Sequence, residues 1–91
     1  CGTGQLVQLV APHVEQVYGI DSSVDMLDAA RVRLAKYKNV TLLQDDLYHT
    51  SLDKESVDAV LMTIILPYLE HPKFAFSEAA RIARPNGRLV I

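Results

Sequence analysis

The sequence predicts an α/β domain built on a mainly parallel sheet. Three observations predict it. Short β-rich runs alternate with helix-like stretches along most of the chain. One run, VDAVLMT, is apolar nearly throughout, as in a strand covered on both faces. The composition, 49% hydrophobic and 22% charged, is that of an ordinary globular domain.

The elements follow in order. QLVQLVAPHV reads as a short helix with Leu6, Leu9 and Val10 on one stripe and Pro12 near its end. QVYGI is a strand that stops at Asp21. SSVDMLDAARVRLAKY places Leu27, Ala30, Leu34 and Tyr37 on one helical stripe, with Asp21, Ser22 and Ser23 as candidate N-caps. VTLLQ is the second strand and runs into Asp45 and Asp46; LYHTSLDKES is polar and loop-like. VDAVLMT is the third strand. Pro72 suits the first turn of a helix, KFAFSEAARIAR, carrying Phe74, Ala75, Ala79, Ile82 and Ala83. RPNG is a turn, and RLVI opens a last strand.

Length and charge narrow the function. Ninety-one residues set one domain, residues 1–91, with a small core. A net charge of −2 gives no nucleic-acid signal. The basic residues Arg31, Arg33, Lys36 and Lys38 read as a solvated helix face. Cys1 is the only cysteine, so the chain forms no internal disulfide, and a cytoplasmic setting is expected. One cysteine with His13, His49 and His71 does not match a structural zinc spacing, so no metal is expected. The longest apolar stretch, AVLMTIILPYL, is broken by Pro67 and falls well short of the ~20 residues that span a bilayer, so no membrane signal is present.

In parallel sheets ligands bind beyond the carboxyl ends of the strands. The residues there carry the chemistry. In Cys1-Gly2-Thr3-Gly4, a Gly-x-Gly loop enters a helix and presents backbone N–H groups to a carboxylate or a phosphate. Taken alone, such a loop is equally a plain turn. Asp21, after the first strand, suits both hydroxyls of a ribose, or the cap of the next helix. Asp46 suits the exocyclic amine of adenine while the Leu47 N–H donates to a ring nitrogen, or it forms a turn; Asp45 beside it leaves the assignment open by one position. Together these positions describe a site for a nucleoside with a charged tail.

At this point the chain resembles the class I S-adenosylmethionine-dependent methyltransferases, over essentially its whole length. CGTG resembles the second half of that family's first motif. YGIDSSVDML resembles the second, with Asp21, Ser23, Met26 and Leu27 in place. DLYHTSLDKESVDAV is similar to the segment from the adenine aspartate to Asp-x-Val, and its spacing favours Asp46 over Asp45. LPYLEHPKFAFSEAARIARPNGRLVI resembles the closing helix, turn and fifth strand. The resemblance implies a Rossmann-like fold and S-adenosylmethionine as cofactor, with methyl transfer to a small-molecule acceptor. It implies a cofactor-binding set of Gly2, Thr3, Gly4, Asp21, Ser22, Met26, Asp46, Leu47, Met62 and Thr63. Within it the glycines lie against the methionine portion, Met26 covers the adenine, and Met62 and Thr63 face the sulfonium and the acceptor.

Departures from the pattern are Thr50-Ser51 in place of Leu-Pro, Pro67 in place of a histidine, and Asn86 before the turn's Gly87. The resemblance also implies a fragment whose first strand and C-terminal strands are absent. That leaves the centre of the sheet missing and cofactor binding by the isolated 91 residues poor. His49, His71 and Tyr68 are titratable candidates near the expected face, but no catalytic base is assigned. Two rivals stand beside this reading. A dinucleotide-dependent oxidoreductase expects a third glycine where Val7 stands. A non-catalytic scaffold of the same fold is the other.

Overall fold

Pro12 shapes the start of the chain. The structure, a computed structural model, describes residues 1–62 and 69–90, so Thr63, Pro67 and Tyr68 lie outside the described residues. Helix α1 spans Gln5–Val10 and passes into a 3-10 turn at Ala11–His13. The single helix expected through Val14 is thus divided, because Pro12 has no N–H to extend the α-helical ladder. Asn39 Nδ2 takes up the carbonyls left over, donating to Ala11 O at 2.8 Å and Val14 O at 2.9 Å. The stripe expected on this helix also differs. Val7 is the buried residue, while Leu6 is 38% and Leu9 71% exposed. A six-residue helix covers little area, and it turns Val7 toward Ala30 and Leu34.

Strands β1 (Val17–Asp21) and β2 (Val40–Gln44) pair in parallel, Val17 opposite Val40 and Asp21 opposite Gln44. Their carboxyl ends therefore share one end of the sheet. Helix α2 (Val24–Arg33) connects them. Ser23 caps it, its Oγ accepting from Met26 N at 3.3 Å. The predicted stripe is buried, with Leu27, Ala30 and Leu34 at 3% exposure or less. The helix ends earlier than expected, at Arg33, but a turn closed by Tyr37 N–H on Leu34 O keeps Tyr37 against the same cluster. Val7, Ala30 and Leu34, with Val17, Tyr37, Val40 and Leu42 against them, form the core of this unit, Cys1–Leu47. Each large aliphatic side chain fully buried there contributes about 1.5–3 kcal/mol.

The second unit, Tyr48–Ile91, holds β3 (Val57–Leu61), α3 (Pro72–Ile82) and β4 (Ala83–Val90). Pro72 opens α3 as expected, with Ala75, Ala79 and Ile82 on the buried face. β3 and β4 pair in parallel, so the described strands form two two-stranded sheets. The RPNG turn is drawn into the strand. Val57 pairs with Ala83 and Ala59 with Arg88, so residues 84–87 loop out of the ladder between them. Asn86 takes the left-handed backbone this requires, φ 67°. Among the described residues, β4 is the strand paired with β3, α3 packs along β4, and Leu61 is 42% exposed, so the covered strand expected from its apolar content is not seen there.

A polar network joins the loop before β3 to α3. Glu78 is 6% exposed and accepts from Thr50 N at 2.6 Å and Thr50 Oγ1 at 2.9 Å. Arg81 donates to it through Nε and an Nη, both at 2.6 Å, and also to Leu52 O at 2.8 Å. The hydrogen bonds from Arg81 prevail over burial and, with those from Thr50, hold the Glu78 carboxyl down at about 2. Glu55 N–H and Ser56 N–H donate to the carbonyls of Arg81 and Ile82, which the end of α3 would otherwise leave unbonded.

Candidate functional site

The glycine loop begins the site. Gly2 and Gly4 both have left-handed backbone, φ 57° and 88°. They need glycine for different reasons. A Cβ on Gly4 would lie 2.8 Å from Leu34 Cδ1 and 3.3 Å from Ala30 Cβ, because the loop presses against α2. A Cβ on Gly2 would meet nothing within 4 Å. Gly2 therefore offers bare backbone beside open space, the property a closely approaching ligand requires. The loop is closed by Gly4 N–H on Cys1 O at 3.1 Å and leads into α1. Arg33 Nε donates to Thr3 O at 3.1 Å.

Asp21 ties this loop to the strand end. Its Oδ2 accepts from Gly2 N at 2.9 Å and its Oδ1 from Ser23 N at 2.9 Å. Burial pushes the carboxyl up, but the hydrogen bonds from the Ser23 and Gly2 N–H groups pull it down, and Asp21 lies below the usual carboxylate range. It is an ionised acceptor at neutral pH. A carboxylate has about four lone-pair sites. The two backbone donors leave room for a hydroxyl. Asp21 thus shapes the turn into α2 as well, although Ser23 supplies the side-chain cap.

Beside it an open cleft of about 440 Å³ is lined by Ser22, Gln44, Asp45 and Asp46. Asp45 N–H donates to Asp21 O at 3.3 Å, which holds the end of β2 against the end of β1. Asp46 is the more exposed of the two aspartates. Met26, on the first turn of α2, is 45% exposed. Gly2, Thr3, Gly4, Asp21, Ser22, Met26, Asp46 and Leu47 all belong to the unit Cys1–Leu47. Met62 belongs to the other unit, where it is buried and its N–H donates to Val90 O at 2.9 Å. Thr63 lies outside the described residues.

Two residues at the site carry no motif signal. Gln44 lines the cleft, with Nε2 3.5 Å from Ser22 O. Arg33 reaches the loop from a position thirty residues away in the chain. Of the titratable candidates, His49 is exposed. His71 precedes α3 and packs its ring against those of Tyr48 and Phe74, at centroid distances of 6.2 and 5.4 Å.

A glycine loop, an acid at the first strand tip and a polar cleft at the second lie together in one α/β unit. The comparisons name the family. A model described as "Methyltransferase domain" matches residues 1–91, and the chain belongs to that family. A demethylmenaquinone methyltransferase from Tropheryma whipplei is 37% identical over 92 residues, covering 99% of this chain and 37% of that protein. An uncharacterized 37.1 kDa protein in transposon TN4556 of Streptomyces fradiae is 35% identical, covering 97% of this chain and 25% of that protein. The chain therefore spans about a quarter to two-fifths of the curated relatives it matches first. Among solved structures, the YcgJ protein of Bacillus subtilis superposes with a TM-score of 0.92 at 21% identity, covering 97% of this chain and 38% of that one, a likeness of fold. A SAM-dependent methyltransferase from Aquifex aeolicus superposes with a TM-score of 0.85 at 27% identity, covering 92% of this chain and 47% of that one. The Rossmann-like α/β class expected from the sequence is the fold of these proteins.

Proposed function

We propose that residues 1–91 form the S-adenosylmethionine-binding part of a methyltransferase that acts on a small-molecule acceptor. The observation that carries this reading is Asp21. It holds the Gly2 N–H on one oxygen and stands beside the cleft of Ser22, Gln44 and Asp46. The donor set fits the cofactor. Asp21 accepts from the ribose, Asp46 accepts from the adenine amine, Leu47 N–H donates to the ring, and Gly2 leaves clearance for the methionine portion. Met26 covers the base.

S-adenosylmethionine supplies a methyl group already activated by the sulfonium charge. The chain's task is positioning, with acceptor and methyl held about 3 Å apart and aligned, which lowers the barrier by several kcal/mol. No side chain is assigned as general base. The quinone methyltransferases among the relatives support a small-molecule acceptor. A lone cysteine supports a cytoplasmic setting; among the described residues no helix is long and apolar enough to cross a membrane. The dinucleotide reading is disfavoured by Val7. It stands where that fingerprint needs its third glycine, and it is buried against Ala30 and Leu34.

Calorimetric titration of the full-length protein that contains residues 1–91 with S-adenosylhomocysteine, and separately with NADH, tests the proposal. Binding of the former, weakened about 10–100-fold in Asp21→Asn, is the expected result, since a hydrogen bond to a charged acceptor is worth about 1.5–3 kcal/mol. Binding of NADH without S-adenosylhomocysteine overturns it.

A further inference from the structure

We infer that Arg33 is a positioning residue for the cofactor loop, acting through the carbonyl of Thr3. The inference rests on the cofactor reading above and adds a residue to it.

The Thr3–Gly4 peptide is the part of the loop most free to turn over. A peptide plane flips by changing the ψ of the residue before it and the φ of the residue after it. Here the residue after is Gly4, which carries no Cβ to penalise either sign of φ. A flip would exchange the directions of the Thr3 carbonyl and the Gly4 N–H, because the trans peptide holds them on opposite sides. The Thr3 carbonyl would then point where the Gly4 N–H now points, at Cys1 O, so the flip would open the turn and displace the Gly2–Gly4 backbone that receives the ligand tail.

The structure supplies one restraint on each side of that plane. Gly4 N–H is bonded to Cys1 O at 3.1 Å, and Thr3 O is bonded to Arg33 Nε at 3.1 Å. Gly2, one residue earlier, is already fixed by Asp21 at 2.9 Å. Arg33 ends α2, whose entry turn carries Asp21 and Ser23. One helix therefore sets both the acid that receives the ribose and the plane of the loop that receives the tail. The guanidinium is suited to this task. It stays charged at all relevant pH, and its Nε–H is fixed in a planar fork. The bond is solvent-exposed, so its effect falls on loop geometry more than on global stability.

The test uses the full chain as wild type, Arg33→Met and Arg33→Lys. Each is titrated with S-adenosylhomocysteine, and each is unfolded in urea without ligand. Arg33→Met keeps the aliphatic length and removes the donor. It should bind about fivefold more weakly with an unchanged unfolding midpoint, the scale of one exposed hydrogen bond. Arg33→Lys keeps a charged donor on a side chain of similar length and should recover most of the affinity. The inference is overturned if Arg33→Met binds like wild type, if its midpoint falls in step with its affinity, or if lysine restores nothing. Failure of the wild type to bind S-adenosylhomocysteine is a different result; it overturns the cofactor reading and this inference with it.

Discussion

Replacing Glu78 by glutamine should remove a pH-dependent part of the stability. Glu78 is 6% exposed and accepts four hydrogen bonds, two from Thr50 and two from Arg81. Its carboxyl is held at about 2, against 4.5 for an ordinary glutamate. A folded-state value below the unfolded one means that the contribution is present above pH 4.5 and is lost as pH falls from 4.5 toward 2. The full displacement corresponds to about 3 kcal/mol. Arg81 is 37% exposed, so solvent screens part of the charge interaction, and about 1–2 kcal/mol is the measurable share. Urea unfolding of the full chain, wild type and Glu78→Gln, at pH 7, 4 and 2.5 reads this directly, provided the denaturant slope is unchanged. The wild type should exceed the variant by about 1–2 kcal/mol at pH 7, and the gap should close toward zero at pH 2.5. Asp21 is also depressed, but it is common to both proteins and cancels in the difference. A gap that stays constant from pH 7 to 2.5 refutes the reasoning, because the carboxylate charge would then contribute nothing that a neutral amide does not.

Three further substitutions separate packing from ligand clearance. Gly4→Ala places a methyl against Leu34 and Ala30 at a left-handed φ and should cost about 2–4 kcal/mol in urea unfolding. Gly2→Ala should cost only about 1–2 kcal/mol, from backbone alone, yet weaken S-adenosylhomocysteine binding at least as much as Gly4→Ala does. Ser56 Oγ is buried with no hydrogen-bond partner among the described residues, so Ser56→Ala should be neutral or stabilising by up to about 1 kcal/mol in the same unfolding assay.

The sequence was most legible where local chemistry and tertiary packing agree. Strand VTLLQ appears with its expected bounds, and the stripe Leu27, Ala30 and Leu34 is buried as its spacing requires. Asp21 and the glycine loop meet, as their places after and before neighbouring elements imply. Long-range contacts were not legible. Arg33 looked like one more charge on a solvated face, since nothing nearby in sequence reveals the Thr3 carbonyl thirty residues away. Thr50 looked like a departure from a motif, whereas its N–H and hydroxyl serve a carboxylate on α3. RPNG kept its turn chemistry at Asn86, but pairing on both sides absorbed it into β4. At β3 the apolar content records suitability for a covered strand, but it does not specify what covers it, and among the described residues Leu61 is 42% exposed.

Asp21 has duties that cannot be reassigned one at a time. The oxygens that the proposed function assigns to a sugar also anchor two backbone amides, one at the entrance to α2 and one in the bend before α1. Changing that side chain to alter the ligand would release both anchors together. Any successful redesign of ligand preference here must therefore arrive with replacement supports, or be sought at Gln44, whose hydrogen bond to the Ser22 carbonyl leaves those amides alone.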